Sequence, residues 1–281
     1  MKRVAPDESR TGRVRVERIL GHPVHPVSKA QAVEAVVRRA RGQPGAYVCL
    51  TNAHTTVESQ RSPALRAAVE GAFLSVPDGM PLAWIMRRRG HRHTEKVTGI
   101  EYIPMVARRG LDLGLRHFFY GSAQGVAVEA STHLEQLVPG VQVVGTASPP
   151  FDETFGWATD DLEQELLHTK PHILWVGLGA PKQELWMARM AGELGVPVMI
   201  GVGAAFDYLA GTKAAAPTLL RHSGFEWLFR LAVEPKRLWR RYLIGNTEFL
   251  WLVARERLVG MSPRHDRRSP PGRDGDGEGP R

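Results

Sequence analysis

At 281 residues, with 43 % hydrophobic and 23 % charged side chains, the chain can hold one large α/β domain, or two small ones, with a real core. Its 37 Lys and Arg against 29 Asp and Glu leave a net charge of +8, so acidic partners are expected: nucleic acid, anionic lipid or phosphorylated substrates. A single cysteine, Cys49, excludes an internal disulfide, and no run of about 18 uncharged apolar residues is present to span a bilayer.

Residues 1–12 are polar, lack the apolar core of a signal peptide and are expected to be disordered; the expected location is the cytoplasm. A strand is expected at 14–20, then a Pro-rich turn holding His22 and His25, which lack a third partner for metal binding. A helix at 29–41 precedes the strand 46–51, where Cys49 reads as a buried thiol. That strand ends in Thr51-Asn52-Ala53-His54-Thr55, at the start of a helix. Ligands bind at the carboxyl ends of strands in open α/β sheets, although Asn52 or Thr55 can equally serve as a helix cap. After a helix at 63–72, the run Val76-Pro77-Asp78-Gly79-Met80 leads into a helix at 81–89. Asp78 is either that helix's N-cap or a carboxylate reaching into a cleft as a general base. In Glu95-Lys96-Val97-Thr98-Gly99, Lys96 is a phosphate ligand or a solvated lysine, and Thr98 caps the next helix.

Further strands are expected at 116–120, 141–146, 172–177 and 196–202, with helices at 124–137, 157–168 and 181–194 between them. The richest segment is Leu174 to Glu184, where an apolar strand ends in glycines and a helix opens at Pro181 with Lys182, Gln183 and Glu184 in its first turn. Helix N-termini attract phosphate through free N–H groups and the positive end of the dipole. The spacing fits no dinucleotide loop, because Lys182 stands where a third glycine belongs, and no Gly-x4-Gly-Lys-Ser/Thr loop occurs. Gly201-Val202-Gly203 repeats the theme, with Phe206 in the third glycine's place and Asp207 beside it. Glycines there allow either close backbone approach to a ligand or tight helix-strand packing.

Several strands are apolar throughout rather than alternating, which predicts burial on both faces of a mostly parallel sheet. Alternation of strands with helices then gives a Rossmann-like, three-layer α/β domain, expected over 13–213. A helical C-terminal appendage over 214–260 follows, then a Pro/Gly-rich disordered tail at 262–281. Between 218 and 257 lie eight Lys and Arg against four Glu, with Trp227, Trp239 and Trp251. Basic residues interleaved with aromatics suit a membrane surface, and equally a helical hairpin packed on the core with a solvated basic face. Without Cys/His spacing for zinc or a Gly-x-Ser-x-Gly elbow, neither a structural zinc site nor a serine hydrolase is expected. A basic, non-catalytic protein binding nucleotides or nucleic acid remains an alternative, though no nucleic-acid module is recognisable.

Taken together, Asn52-Ala53-His54, Pro77-Asp78-Gly79, Val97-Thr98-Gly99, Gly177 to Glu184 and Gly201-Val202-Gly203 resemble the WecG/TagA/CpsF glycosyltransferase family in order and spacing. So do the stretch from Phe206 to Gly211, that from Gly224 to Leu231, and Glu234-Pro235-Lys236-Arg237. The resemblance implies transfer of N-acetylmannosamine, its uronic acid or a hexose from a UDP-sugar to a polyprenyl-diphosphate-linked sugar. The place is the inner face of the bacterial membrane, the stereochemistry inverting, and no metal or other cofactor is implied. By the same resemblance Asp78 matches the general base, and Asn52 and Gln183 match residues at the active site. Arg230, Arg237, Arg240 and Arg241 fall in the appendage that closes over the site and meets membrane and diphosphate. Thr51, Lys96, Gly177, Gly179, Lys182, Gly201, Gly203 and Asp207 complete the expected substrate-binding set. Two positions depart from the pattern: Leu50 stands where many relatives have threonine, and Lys96 where they often have arginine. Lysine keeps the charge but loses the bidentate fork. No nucleic-acid partner is expected, and a homo-oligomer is left open.

Overall fold

The computed structural model describes residues 15–149, 160–214, 216–217, 220, 226–239 and 243–258. Both expected tails, residues 157–159 of one expected helix, and the candidates Arg240 and Arg241 lie outside the described residues, as does the side chain of Arg237.

The chain opens with a ribbon, β1 (Glu17–Ile19) paired antiparallel with β2 (His22–Val24). Leu20 and Gly21 between them have φ of 52° and 73°. Two successive positive φ values make the tight hairpin turn whose twist matches a two-stranded ribbon. This corrects the expected strand at 14–20: the chain reverses at Leu20, so the segment forms a hairpin apart from the main sheet. His22 and His25 likewise sit on and just after a buried strand rather than in an open turn.

Next come α1 (Lys29–Arg39), β3 (Ala46–Thr51), α2 (Ala53–Arg61), α3 (Pro63–Glu70), β4 (Leu74–Pro77) and α4 (Met80–Arg88). They are followed by α5 (Gly99–Gly110), β5 (Arg116–Gly121), α6 (Val126–Leu137), β6 (Gln142–Ala147), α7 (Asp160–Thr169) and β7 (Ile173–Gly177). The described part ends with α8 (Lys182–Met190), β8 (Val198–Gly201), α9 (Ala205–Leu209), α10 (Glu226–Val233), α11 (Pro235–Trp239) and α12 (Gly245–Leu258). Helix α8 stops at Met190 rather than at 194, because Ala191 turns extended and Gly192 takes φ of 90°.

Six parallel strands pair in the order β4-β3-β8-β7-β5-β6, the expected mostly parallel sheet with helices on both faces. Its short edge strand β4 comes from the apolar run before Asp78, which was not among the expected strands. Side chains alternate between two cores, as the period of two demands. Val48, Leu50, Phe119, Trp175 and Ile200 face α1, α5, α6 and α9. Tyr47, Cys49, Phe118, Leu174 and Met199 face α3, α7 and α8. A third cluster seats the C-terminal helix: Phe249 and Val253 of α12 pack with Ile19, Val57, Leu82 and Met86 from the hairpin, α2 and α4.

The chain leaves β3 toward the α3 face of the sheet, and leaves the adjacent β8 toward the α9 face. Neighbouring strands whose connections diverge open a crevice beyond their carboxyl ends, which is where such sheets bind ligands.

Candidate active site

The end of β3 is fixed from beneath. Thr51 is fully buried, its Oγ1 2.7 Å from Ser75 Oγ and 3.2 Å from His22 Nε2, while His22 Nδ1 lies 3.0 Å from Ser59 Oγ. Burial lowers the His22 imidazole to a pKa of about 4, so the ring is neutral at neutral pH. His25 extends the same scaffold by accepting the Ser75 N–H at 3.0 Å. Thr51 therefore anchors the strand end, with its hydroxyl turned into the core rather than into the cavity above.

The next residue, Asn52, is extended and caps α2, its Oδ1 accepting the Thr55 N–H at 3.1 Å. That bond assigns the amide orientation, and Asn52 also helps to line the cavity. At the end of β4 the Asp78 N–H donates to Thr51 O at 2.6 Å. The N-cap of α4 is Gly79 rather than Asp78, and its φ of 148° is one that a side chain would resist. The sharp turn at Gly79 therefore puts a residue without a side chain at the cap, with Asp78 one position before it. Val97 N–H donates to Pro77 O at 2.8 Å, which lays Lys96 and Thr98 alongside this turn. Thr98 takes the N-cap position of α5, but its hydroxyl makes no capping bond.

These pieces line one cavity. Asn52, Ala53 and His54 come from the β3 end, Asp78 to Pro81 from the β4 end, and Lys96 and Thr98 from the loop before α5. Its roof is contributed by Glu226, Trp227 and Arg230 of α10 and by Asn246 of α12. Lys96 is only 8 % exposed, and its Nζ lies 2.8 Å from Glu226 Oε2. Arg230 Nη2 lies 2.5 Å from Glu226 Oε1, and its guanidinium rests 4.8 Å from the centroid of the Tyr208 ring. Lys213 ties the roof to the sheet domain by reaching Asp207 at 3.6 Å and Glu234 at 3.7 Å.

Asn52, Asp78, Lys96 and Arg230 are thus the sequence-derived candidates that the fold brings together. The glycine-rich segments lie at the ends of β7 and β8, outside the walls of this cavity; packing accounts for Gly177 and Gly201, whereas Gly179 and Gly203 take positive φ with no close contact where a side chain would stand. A Cβ on Gly177 would stand 2.7 Å from the Phe206 ring, and one on Gly201 2.7 Å from Met187 Cε. Gln183 is buried, accepting the Gly203 N–H at 2.9 Å and donating to Glu184 at 3.1 Å. This bond fixes the loop after β8, and that loop meets the cavity: a Cβ on Gly99, beside Thr98, would touch Val202 O at 3.0 Å. Gly179 takes φ of 78° in the turn before Lys182, the first residue of α8. Asp207 lies on α9 and, like Lys182, is not among the cavity-lining residues. Cys49 is completely buried; burial, and secondarily the Glu184 charge, raise its thiol well above the ordinary range, so it is no thiolate nucleophile.

The profile of the Glycosyl transferase WecG/TagA/CpsF family matches residues 17–263. This chain belongs to that family of glycosyltransferases. Among similar proteins of the family is the N-acetylglucosaminyldiphosphoundecaprenol N-acetyl-beta-D-mannosaminyltransferase of Bacillus spizizenii. It is 25 % identical over 223 residues, which cover 79 % of this chain and 83 % of that protein. A Staphylococcus aureus protein of the same name is 27 % identical over 177 residues, covering 61 % of this chain and 66 % of that protein. The matched span runs from the hairpin past α12, so it takes in both the floor and the roof of the cavity.

Glu226, Trp227 and Asn246 were not singled out as site residues from sequence. Glu226 and Trp227 sit in a run that resembles the family, but nothing local says they turn toward Lys96, 130 residues earlier in the case of Glu226. Asn246 carries no sequence signal at all.

Proposed function

We propose that this chain is an inverting, metal-independent glycosyltransferase. It moves a sugar from a UDP-sugar to a saccharide carried on a polyprenyl diphosphate, with N-acetylmannosamine first among the donors to test. The observation that carries the proposal is that one cavity at the strand ends is lined by the Asp78 carboxylate and by two cations, Lys96 and Arg230. Inversion in a single displacement needs one base: Asp78 takes the proton of the acceptor hydroxyl as that oxygen attacks the anomeric carbon from the face opposite UDP. The bond to the diphosphate oxygen breaks as the new glycosidic bond forms. Negative charge then grows on the leaving diphosphate, and fixed cations stabilise it as a bound metal would elsewhere. The names of the relatives, which specify an undecaprenyl-diphosphate acceptor, support the same reading.

A lipid-linked acceptor requires the protein to work at a surface. Trp84 of α4 is 49 % exposed, and Leu250 and Trp251 of α12 are 62 % and 59 % exposed. Arg255 lies 5.5 Å from the Trp251 ring centroid. Large apolar side chains beside arginines suit the headgroup region of an anionic membrane, and these helices also wall the cavity. The protein is accordingly assigned to the cytoplasm, docked peripherally on the inner face of the membrane. Among the described residues no helix is long and apolar enough to cross it.

The test is transfer from a panel of radiolabelled UDP-sugars to a short-chain polyprenyl-diphosphate-GlcNAc, with product configuration read by NMR and EDTA present throughout. One donor giving an inverted product in EDTA is expected. Retention of configuration, loss of activity in EDTA, or failure to bind UDP would overturn the respective part of the proposal.

A further inference from the structure

The carboxylate of Glu226 occupies the space between the two cations of the cavity. Its Oε2 faces Lys96 Nζ at 2.8 Å and its Oε1 faces Arg230 Nη2 at 2.5 Å. One oxygen to each cation is the way a bridging phosphate group engages a Lys-Arg pair. The glutamate side chain retains 15 % exposure and Lys96 9 %, so that pair is largely withdrawn from water, while Arg230, 29 % exposed, keeps contact with solvent. At that depth an ammonium needs nearby negative charge; Glu226 supplies the direct contact to Lys96, and the Glu101 carboxylate, whose pKa Lys96 helps to lower, supplies a more distant one. Arg230 is held from a second side by the Tyr208 ring, and its neighbour Glu234 is tied to Lys213, so the cationic pair has support apart from Glu226.

We infer that Glu226 is a placeholder anion, which leaves Lys96 and Arg230 when the diphosphate of the donor enters. The inference rests on the cavity being the UDP-sugar site. A diphosphate carries more charge and more acceptor oxygens than one carboxylate, so it wins the exchange, while weaker anions do not. Glu226 thereby keeps the cations in place before the donor arrives and sets the threshold that an anion must exceed. It sits in the first turn of α10, so its side chain can turn to solvent without unwinding the helix interior.

The experiment compares wild type with Glu226→Gln, which keeps the shape and removes the competing charge. Calorimetry would be run with UDP, inorganic pyrophosphate and uridine. Loss of the competing charged contact should tighten UDP and pyrophosphate about tenfold or more, and leave uridine unchanged. Unchanged or weaker UDP and pyrophosphate binding by the variant would overturn the inference and make Glu226 a residue that positions the cations for the ligand. Should Glu226→Gln prove too unstable for calorimetry, the rise in melting temperature with saturating pyrophosphate replaces it, and should be larger for Glu226→Gln and Glu226→Ala than for wild type. An equal or smaller rise would contradict the exchange. If wild type binds no UDP, the assignment of the cavity to a UDP-sugar fails, whereas the pyrophosphate comparison still judges Glu226.

Discussion

Two kinds of contact hold α12 against the rest of the protein, and their magnitudes differ enough to separate by mutation. Phe249 is 1 % exposed, packed among side chains from α2, α4 and the hairpin. Replacing a buried phenylalanine by alanine costs about 3–5 kcal/mol through lost transfer energy and the cavity left behind. The ion pairs Arg61–Glu248 and Arg89–Glu256 tie the same helix to α2 and α4, but their arginines are 58 % and 28 % exposed. Pairs of that kind contribute about 0.2–1 kcal/mol each. Packing should therefore outweigh the two pairs together, about 3–5 against about 0.4–2 kcal/mol. Hydrogen exchange over 245–258 provides the readout. Phe249→Ala should lose protection in α12 while the central strands keep theirs, and transfer activity should fall because Asn246, which α12 brings to the cavity, loses its support. The double variant Arg61→Ala, Arg89→Ala should keep α12 protected to within about thirtyfold of wild type. A double variant that releases the helix, beside a Phe249→Ala that leaves it docked, would refute the reasoning.

Acid should destabilise the fold partly through His22. Folding lowers its pKa from 6.5 to about 4, so the neutral ring's contribution is complete above pH 6.5 and is lost as pH falls from about 6.5 to about 4. The full shift corresponds to about 3 kcal/mol. Urea midpoints at pH 7.5 and 4.5 should diverge less for His22→Gln than for wild type; parallel behaviour would remove His22 from the account. Vesicles containing anionic lipid should bind the protein and release it at high salt, because the charge attraction is screened. Trp84→Ala together with Trp251→Ala should weaken sedimentation with those vesicles without changing binding of soluble UDP. Salt-insensitive sedimentation would argue against an electrostatic contribution.

Much of the fold is legible in the chain because buried parallel strands announce themselves: 46–51, 172–177 and 196–202 are apolar on both faces, and the structure buries both. The hairpin was hidden, since Leu20 is not a residue that marks a left-handed turn, and Gly21 alone does not reveal where the chain reverses. Strand β4 was equally unmarked, being four residues long and ending in Pro77, a residue tolerated there because it is the last of an edge strand. In the site, Asn52 and Asp78 were readable as polar residues just beyond strand ends. The side chain of Asp78 was ambiguous until Gly79 took the cap. In the glycine pairs at 177–179 and 201–203, sequence alone does not distinguish a backbone approached by a ligand from one approached by a side chain, as Gly177 is by Phe206 and Gly201 by Met187. The Lys96–Glu226–Arg230 arrangement depends on α10 folding back across the sheet end, a tertiary contact that no local pattern encodes.

The assignment of Asp78 as base is tested most directly by single-turnover transfer with Asp78→Asn, measured beside UDP affinity and a thermal melt. The substitution keeps the size of the side chain and removes its ability to accept a proton. The account predicts a folded protein that binds UDP within a few-fold of wild type and transfers sugar about 10²–10⁴ times more slowly. Near-normal transfer by folded Asp78→Asn would contradict it, and the base would have to be sought elsewhere on the cavity wall, beginning with His54.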